Sequence, residues 1–235
     1  MANIFITGIS SGIGLGLVKK YLKEGWQVYG ISRRACPLSH ENLHSARADL
    51  QDTANLPGTL FELFAGQKEM DLVVLNAGVL GDIADMKDAP LAELKKTMDI
   101  NLWSNKVVLD WLFKHMASVN QVVAISSGAA VNGNKGWNGY SISKAALNMM
   151  IKLYAVEQLE THFMSLAPGL VDTAMQDYLC SKEETEDFPS LARIQSARGT
   201  ANMPTPDELA ERLPEIFGKI KQYESGGFID IRKMG

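Results

Sequence analysis

Tyr140 and Lys144 lie four residues apart in Tyr140-Ser141-Ile142-Ser143-Lys144. On a helix that spacing puts both side chains on one face, one turn apart. A phenol of pKa about 10 is a poor proton donor and a poor base at neutral pH. An ammonium beside it favours the phenolate, so Lys144 is expected to lower the Tyr140 pKa. The pair is then a candidate acid for a carbonyl, or base for an alcohol. An ordinary amphipathic helix supplies the same spacing, so the weight falls on the residues that accompany it. The apolar run Gln121 to Ile125 reads as a strand that delivers Ser126-Ser127 at its C-terminal end, where ligands bind in open α/β sheets. Ser127 precedes Tyr140 by 13 residues.

The elements that must position these residues alternate strand and helix. Asn3 to Thr7 is a short apolar run that ends at glycine, and it reads as a central strand buried on both faces. Gly8-Ile9-Ser10-Ser11-Gly12-Ile13-Gly14 follows and leads into a helical pattern through Leu17, Val18, Tyr21 and Leu22. A strand, a glycine turn and a helix aim backbone N–H groups and a helix N-terminus at an anion. Gly8 permits the turn, while Gly12 and Gly14 allow close approach to a pyrophosphate. A plain βα turn would carry the same glycines.

The second strand, Gln27 to Ile31, ends at Ser32-Arg33-Arg34. An acidic residue at this place binds a ribose 2′-hydroxyl and an arginine accommodates a 2′-phosphate, so two arginines favour NADP over NAD. Their alternative is two solvated surface charges. A weaker third strand, Leu43 to Ala48, closes at Asp49-Leu50, where Asp49 can meet an adenine edge or cap the next helix. The fourth, Asp71 to Leu75, ends at Asn76-Ala77-Gly78, small residues that let backbone lie against a ribose; alternatively, Asn76 ties neighbouring strands together.

A helical pattern runs from Pro90 to about Met116, and another from about Ala145 to Leu159. Both are apolar on more than one face, which predicts packing on the sheet and on a second subunit, a homodimer or homotetramer. Phe163 to Leu166 is a sixth strand leading to Ala167-Pro168-Gly169-Leu170-Val171-Asp172-Thr173, and Gly227 to Ile231 is the last. Residues 177–205 are polar and irregular, with acidic Glu183, Glu184, Glu186 and Asp187, and read as a substrate lid or a helical surface excursion. Thr205 caps a final helix with Pro206 in its first turn. The expected fold is one α/β domain over residues 1–235, a Rossmann-like, doubly wound parallel sheet of about seven strands with helices on both faces.

Composition narrows the partners. Of 235 residues 46% are hydrophobic, enough for a sizeable core, and the formal net charge is −4 with no basic block. That argues against nucleic acid and anionic membranes. The two cysteines, Cys36 and Cys180, lie far apart, which fits a reducing cytoplasm and no metal framework. No signal peptide and no transmembrane run is expected.

Thr7-Gly8-x-x-x-Gly12-x-Gly14, Asn76-Ala77-Gly78, Asn101, Ser127, Tyr140-x-x-x-Lys144 and Pro168-Gly169 stand in the order found in the short-chain dehydrogenase/reductase family, and the chain resembles that family over nearly its whole length. Lys135-Gly136-Trp137-x-x-Tyr140, Asp172-Thr173-x-Met175-Gln176 and Gly227-Phe228-Ile229-Asp230 resemble the subgroup of sepiapterin and benzil reductases. The resemblance implies that Tyr140 donates a proton to a substrate carbonyl as hydride arrives from NADPH. Lys144 then lowers its pKa and holds the nicotinamide ribose, and Ser127 hydrogen-bonds the same oxygen. By the same likeness Asn101 holds a water in a proton relay, and Val171 and Thr173 bind the carboxamide. From the sequence alone Asn101 is equally a helix-bending or capping residue. Trp137, Met175 and Gln176 are expected to line an apolar pocket. Asp230 matches an aspartate that binds the pterin in sepiapterin reductases, and its alternative is a strand-end residue paired with Arg232 or Lys233.

The implied activity is NADPH-dependent reduction of a ketone, diketone or pterin side-chain carbonyl. Its rivals are a 3-oxoacyl-carrier-protein reductase, an alcohol dehydrogenase, and a non-catalytic dinucleotide-binding sensor. The first predicts a basic patch by the cleft, yet Lys182, Arg193 and Arg198 face several acids in 177–205. The sensor would be expected to lack a catalytic residue, whereas Ser127, Tyr140 and Lys144 are all present.

Overall fold

The computed structural model describes residues 1–182 and 187–234. Its sheet begins with β1 (Asn3–Thr7), followed by helix α1 (Gly12–Lys23), β2 (Gln27–Ser32), β3 (Leu43–Arg47) and α2 (Leu56–Leu63). The short β4 (Glu69–Met70) precedes β5 (Leu72–Leu75). Then come α3 (Leu91–Met98), a π-helical turn at Asp99–Trp103 and α4 (Ser104–His115). The short β6 (Ser118–Val119) leads into β7 (Gln121–Ile125), α5 (Asn138–Glu157) and β8 (His162–Ala167). Helices α6 (Ala174–Cys180), α7 (Pro189–Ala197) and α8 (Pro206–Lys219) follow, and β9 (Gly227–Asp230) closes the sheet.

Seven of these strands form one sheet in the order β3-β2-β1-β5-β7-β8-β9, and every pairing in it is parallel. The remaining two, β4 and β6, pair with each other beside it. All four residues of β5 and all five of β7 are buried, because helices cover both faces of a parallel sheet. One core packs α2, α4 and α5 against one face around Phe5, Val73, Val122 and Phe163. The other packs α1 and α8 against the opposite face around Ile4, Ile6, Val74 and Leu166. Chain order reverses between β1 and β5, the switch point at which open α/β sheets bind ligands.

The helix expected from Pro90 to Met116 is continuous but holds the π turn at Asp99–Trp103, which shifts the register on either side of Asn101. The helix expected from Ala145 begins earlier, at Asn138, so Tyr140 stands in its first turn. Thr205 caps α8 in a reciprocal capping box with Glu208. Of the expected lid, α7 and the end of α6 are helical, and residues 183–186 lie outside the described residues.

Candidate active site

A cleft of about 410 Å³ opens along the C-terminal ends of β1, β5, β7 and β8. One half is built by the turn between β1 and α1. Gly8 and Gly12 have φ of +83° and +60°, conformations open to glycine and strained for other residues. A β-carbon on Gly14 would lie 2.2 Å from the Gly8 carbonyl oxygen, so glycine alone lets the helix sit this close to the strand end. Ser11 stands at the N-cap of α1 but makes no side-chain cap bond, and no acid occupies the first turn. The positive end of the helix dipole therefore faces the cleft without a competing carboxylate, which suits a phosphate group.

Arg33 and Arg34 are exposed at the lip of this half. The Arg34 guanidinium donates to Ser11 Oγ at 3.0 Å, and the Arg33 carbonyl accepts from Arg47 Nε. Asp49 and Leu50 line the cleft beside them. Asp49 accepts from the Gln51 backbone N–H and does not cap α2, whose N-cap is Asn55.

Asn76, Ala77 and Gly78 form the floor at the switch point. Asn76 Nδ2 donates to the Thr7 carbonyl at 2.9 Å, while Thr7 Oγ1 accepts from the backbone N–H groups of Asn76 and Ala77 at 3.0 Å. Asn76 is thus the tie between β1 and β5 that its position allowed. These bonds satisfy backbone groups that the sheet leaves open where the two strands diverge.

Beyond that floor stand Ser127, Tyr140 and Lys144. Ser127 follows β7, accepts from the Ala129 N–H at 3.1 Å and stands close enough to the Tyr140 phenol to favour its ionised form. Lys144 Nζ donates to the Ile125 carbonyl at 2.7 Å and lies 5.8 Å from the centroid of the Tyr140 ring. The electrostatics correct one expectation. Burial raises the Tyr140 pKa above its ordinary value, and what opposes burial is the Ser127 hydroxyl, not the Lys144 charge. Burial also pushes Lys144 down to about 8, because a charged ammonium is desolvated there.

Asn101 sits in the π turn and is fully buried, but its side chain does not cap a helix. Its Oδ1 accepts from the Val79 N–H at 2.8 Å, and its Nδ2 donates to the Val79 carbonyl at 2.8 Å and to Ser143 Oγ at 3.0 Å. Its own carbonyl accepts from Asn105 Nδ2. Asn101 therefore clamps the backbone just after Gly78 to Ser143 of α5, the residue before Lys144. It is not among the residues lining the cleft, although the neighbouring Ile100 is.

The other half of the cleft is apolar. A third cluster joins Tyr140, Leu80, Leu179, Leu191, Ile194 and Met203, with Trp137, Leu170 and Met175 packed against it. Trp137 Nε1 donates to Ser190 Oγ of α7 at 2.7 Å, and Phe188 lies against Gly136, whose φ is +90°. The start of α7 and the Phe188 before it are thus docked on the wall that carries Trp137. Met175 and Gln176 also line this half, as do Pro168, Gly169, Val171 and Thr173 where it meets the first. Leu170, Leu179 and Ser190 are not legible as site residues in the sequence. Leu179 has an apolar side chain at a position where the segment reads as polar surface, and Ser190 acquires a role through a bond across the fold.

Asp230, expected in the substrate pocket, is drawn elsewhere by the structure. It ends β9, lies outside the cleft lining and holds Arg232 through two side-chain bonds, 2.9 Å to Nε and 2.6 Å to Nη2. The guanidinium beside it keeps its carboxyl below the usual range. The ion pair across two residues, one of the alternatives at this position, satisfies the carboxylate before a substrate can. Arg232 in turn lies over Gly169, where an added β-carbon would meet its Cδ at 3.3 Å.

Among the described residues no helix is long and apolar enough to cross a membrane, and no group of three or more His, Cys, Asp or Glu is placed to hold a metal.

Residues 2–184 match the family model of the short chain dehydrogenases. A benzil reductase of Bacillus subtilis that forms (S)-benzoin is 32% identical over 97% of both chains. The sepiapterin reductase of Xenopus laevis is 32% identical over 79% of this chain and 73% of its own. A solved short chain dehydrogenase/reductase of Saccharomyces cerevisiae superposes with a TM-score of 0.86 over 98% of this chain and 96% of its own, at 24% identity. The glycine turn, the switch-point floor and the Ser127, Tyr140 and Lys144 group thus sit on a fold and in a sequence of one kind, and the chain belongs to the short chain dehydrogenase family of oxidoreductases.

Proposed function

We propose that the protein is an NADPH-dependent carbonyl reductase that acts on a ketone, a 1,2-diketone or a related aromatic carbonyl compound. The observation that carries this reading is the meeting of Ser127, Tyr140 and Lys144 under an apolar roof, at one end of a cleft whose other end suits a phosphate. The Gly8 to Gly14 turn would hold the pyrophosphate, Asn76 to Gly78 the ribose side, and Val171 and Thr173 the carboxamide. Arg33 and Arg34, with no acid at the end of β2, would take the 2′-phosphate. When bound, the reduced dinucleotide supplies the hydride.

The chain's own residues manage the proton. Tyr140 O–H donates to the substrate carbonyl oxygen, and Ser127 Oγ hydrogen-bonds that same oxygen as negative charge develops on it. Burial keeps the Tyr140 proton on the phenol until a stronger acceptor forms, and Ser127 favours the phenolate left behind. Asn101 holds the backbone around Gly78 and α5 in register, so that Lys144 stays beside the phenol.

Relatives named benzil reductase and sepiapterin reductase support an aromatic substrate, as do Trp137, Met175 and the apolar roof. We also infer a homo-oligomer that pairs through the outer face of α5, where Ile142, Met149, Leu153 and Val156 are exposed, together with Trp103 beside α4. A cytoplasmic protein fits the unpaired Cys36 and Cys180.

The deciding experiment follows NADPH oxidation with benzil, sepiapterin, simple aldehydes and acyl thioesters, with Tyr140→Phe alongside. Reduction of aromatic diketones by the wild type and its loss in Tyr140→Phe are expected. Full activity in Tyr140→Phe would sink the proton-donor role, and a preference for acyl thioesters would move the substrate class.

A further inference from the structure

Three loops leave the C-terminal edge of the sheet side by side, because β7, β8 and β9 are neighbours in it. The first begins with Ser126 and Ser127 and the second with Pro168 and Gly169, and all four line the cleft. The third, the helical turn Ile231–Lys233, lines none of it, but its Arg232 reaches across the other two. A β-carbon added at Gly169 would lie 3.3 Å from Arg232 Cδ, and one added at Gly128 would lie 3.6 Å from Nη2. The guanidinium is held there by Asp230, which is buried at the end of β9 opposite Ala167 of β8. Asp230 Oδ1 accepts from the Arg232 backbone N–H at 3.1 Å and from Nε at 2.9 Å, and Oδ2 accepts from Nη2 at 2.6 Å. A planar fork on a carboxylate fixed by the sheet has one orientation.

Resting on the reductase reading above, we propose that Asp230 and Arg232 form a strut that holds Ser127 in place against the carbonyl being reduced. Arg232 is a positioning residue and touches no substrate. Gly128 follows Ser127 and opens the turn Gly128–Ala130, whose Ala129 N–H bonds Ser127 Oγ. A shift at Gly128 therefore shifts the hydroxyl. The arginine stem over Gly169 spaces that turn from the loop bearing Val171 and Thr173. One side chain thus sets the distance between the proton-transfer group and the part of the cleft proposed for the nicotinamide. A loop that carries a reacting group keeps its geometry only when neighbouring groups lock it. Asp230 serves the reaction from outside the cleft, for every carbonyl substrate alike, instead of recognising one of them.

The test uses Arg232→Met, which keeps the stem over Gly169 and removes the fork. Beside it stands the double variant Asp230→Leu/Arg232→Met, which removes the buried charge as well. In Arg232→Met kcat should fall about tenfold on benzil, sepiapterin and a simple aldehyde alike, with each carbonyl KM within about twofold of wild type. Its melting temperature should drop, since Asp230 is left buried and unpaired. The double variant should regain the melting temperature but not kcat, which a purely structural role would restore with it. Amide hydrogen exchange over residues 127–132 should be faster than wild type in both variants, whether or not the enzyme is active. A KM rise confined to sepiapterin in the double variant would make Asp230 a substrate ligand and overturn the strut. So would recovery of kcat in the double variant, or unchanged exchange over 127–132. A wild type inactive on every carbonyl compound, with exchange still faster in both variants, overturns the reductase reading alone.

Discussion

Lys144 Nζ donates to the carbonyl oxygen of Ile125, so the buried lysine is anchored to the last residue of β7, with the Tyr140 ring 5.8 Å from its nitrogen. Anchoring and burial have opposite effects on its charge, and burial prevails, holding the pKa at about 8 against an ordinary 10.5. Between those two values the unfolded chain keeps a proton that the folded chain has released. Folding stability contributed by this group is therefore lowest below about pH 8 and rises with pH up to about 10.5.

Lys144→Met is expected to stabilise the ligand-free protein at pH 7 while abolishing reduction. Removing the desolvated charge relieves about 3 kcal/mol, since each tenfold change in proton affinity is worth about 1.4 kcal/mol. Leaving the Ile125 carbonyl unbonded returns about 1–3 kcal/mol of that. The net gain at pH 7 should be about 1 kcal/mol, and the rise in stability from pH 8 to 10 should flatten. Urea unfolding at pH 7, 8.5 and 10 reads both effects. A variant that is less stable at pH 7 and keeps the wild-type slope would show that burial is not the dominant influence on Lys144.

Gly14 and Gly78 should separate folding from chemistry. A β-carbon at Gly14 meets the Gly8 carbonyl at 2.2 Å, backbone against backbone, and Gly14→Ala should cost about 1–3 kcal/mol or more as α1 moves off the strand end. At Gly78 the added carbon meets Asn101 Oδ1 at 3.2 Å and Lys144 Nζ at 3.4 Å, and a side chain can give by a few tenths of an ångström. Gly78→Ala should melt within a few degrees of wild type yet lose about tenfold in kcat. Equal melting temperatures for the two variants would contradict this division.

What the sequence revealed of this site follows the range of the forces involved. The glycine turn, the strand ends at Asn76 and Ser127, and the Tyr140–Lys144 spacing are local patterns, and each lies where its pattern implied. The motif around Asp230 points into the pocket, but Arg232 stands two residues away and satisfies the carboxylate at once, a competition that a motif does not display. The pKa of Tyr140 departs from its expected direction for a similar reason. Spacing gives the presence of the lysine, but burial, which outweighs it, comes from Leu80, Leu179 and Leu191 brought over the phenol by distant segments. The π turn at Asn101 is equally invisible in an apolar periodicity that continues through it.

Ser190 is expected to act through Trp137. Its hydroxyl takes the indole N–H at 2.7 Å, and the indole lies against the cluster that roofs the cleft. Ser190→Ala leaves the indole donor unpaired and frees the ring to turn, while Tyr140, Ser127 and Lys144 keep their places. KM for benzil should rise about three- to tenfold with kcat changed less than about twofold, and Ser190→Thr should restore much of the loss. A fall in kcat at unchanged KM would place Ser190 with the proton-transfer group instead.

Arg33 and Arg34 stand side by side at the lip of the cleft but should fail differently. The Arg33 side chain makes no bond within the protein among the described residues, whereas the Arg34 guanidinium is shared with Ser11 Oγ in the turn that would cradle the pyrophosphate. A 2′-phosphate carries charge that a ribose hydroxyl lacks, so a free guanidinium matters to one dinucleotide only. Arg33→Ala should raise KM for NADPH about tenfold or more and leave NADH within about twofold. Arg34→Ala should raise KM for both, because the Ser11 hydroxyl loses its partner and the turn loosens, with the larger rise for NADPH. Initial rates with each dinucleotide at saturating benzil measure all four values. Equal losses of NADPH and NADH in Arg33→Ala would remove the 2′-phosphate role and leave the arginine as a solvated charge.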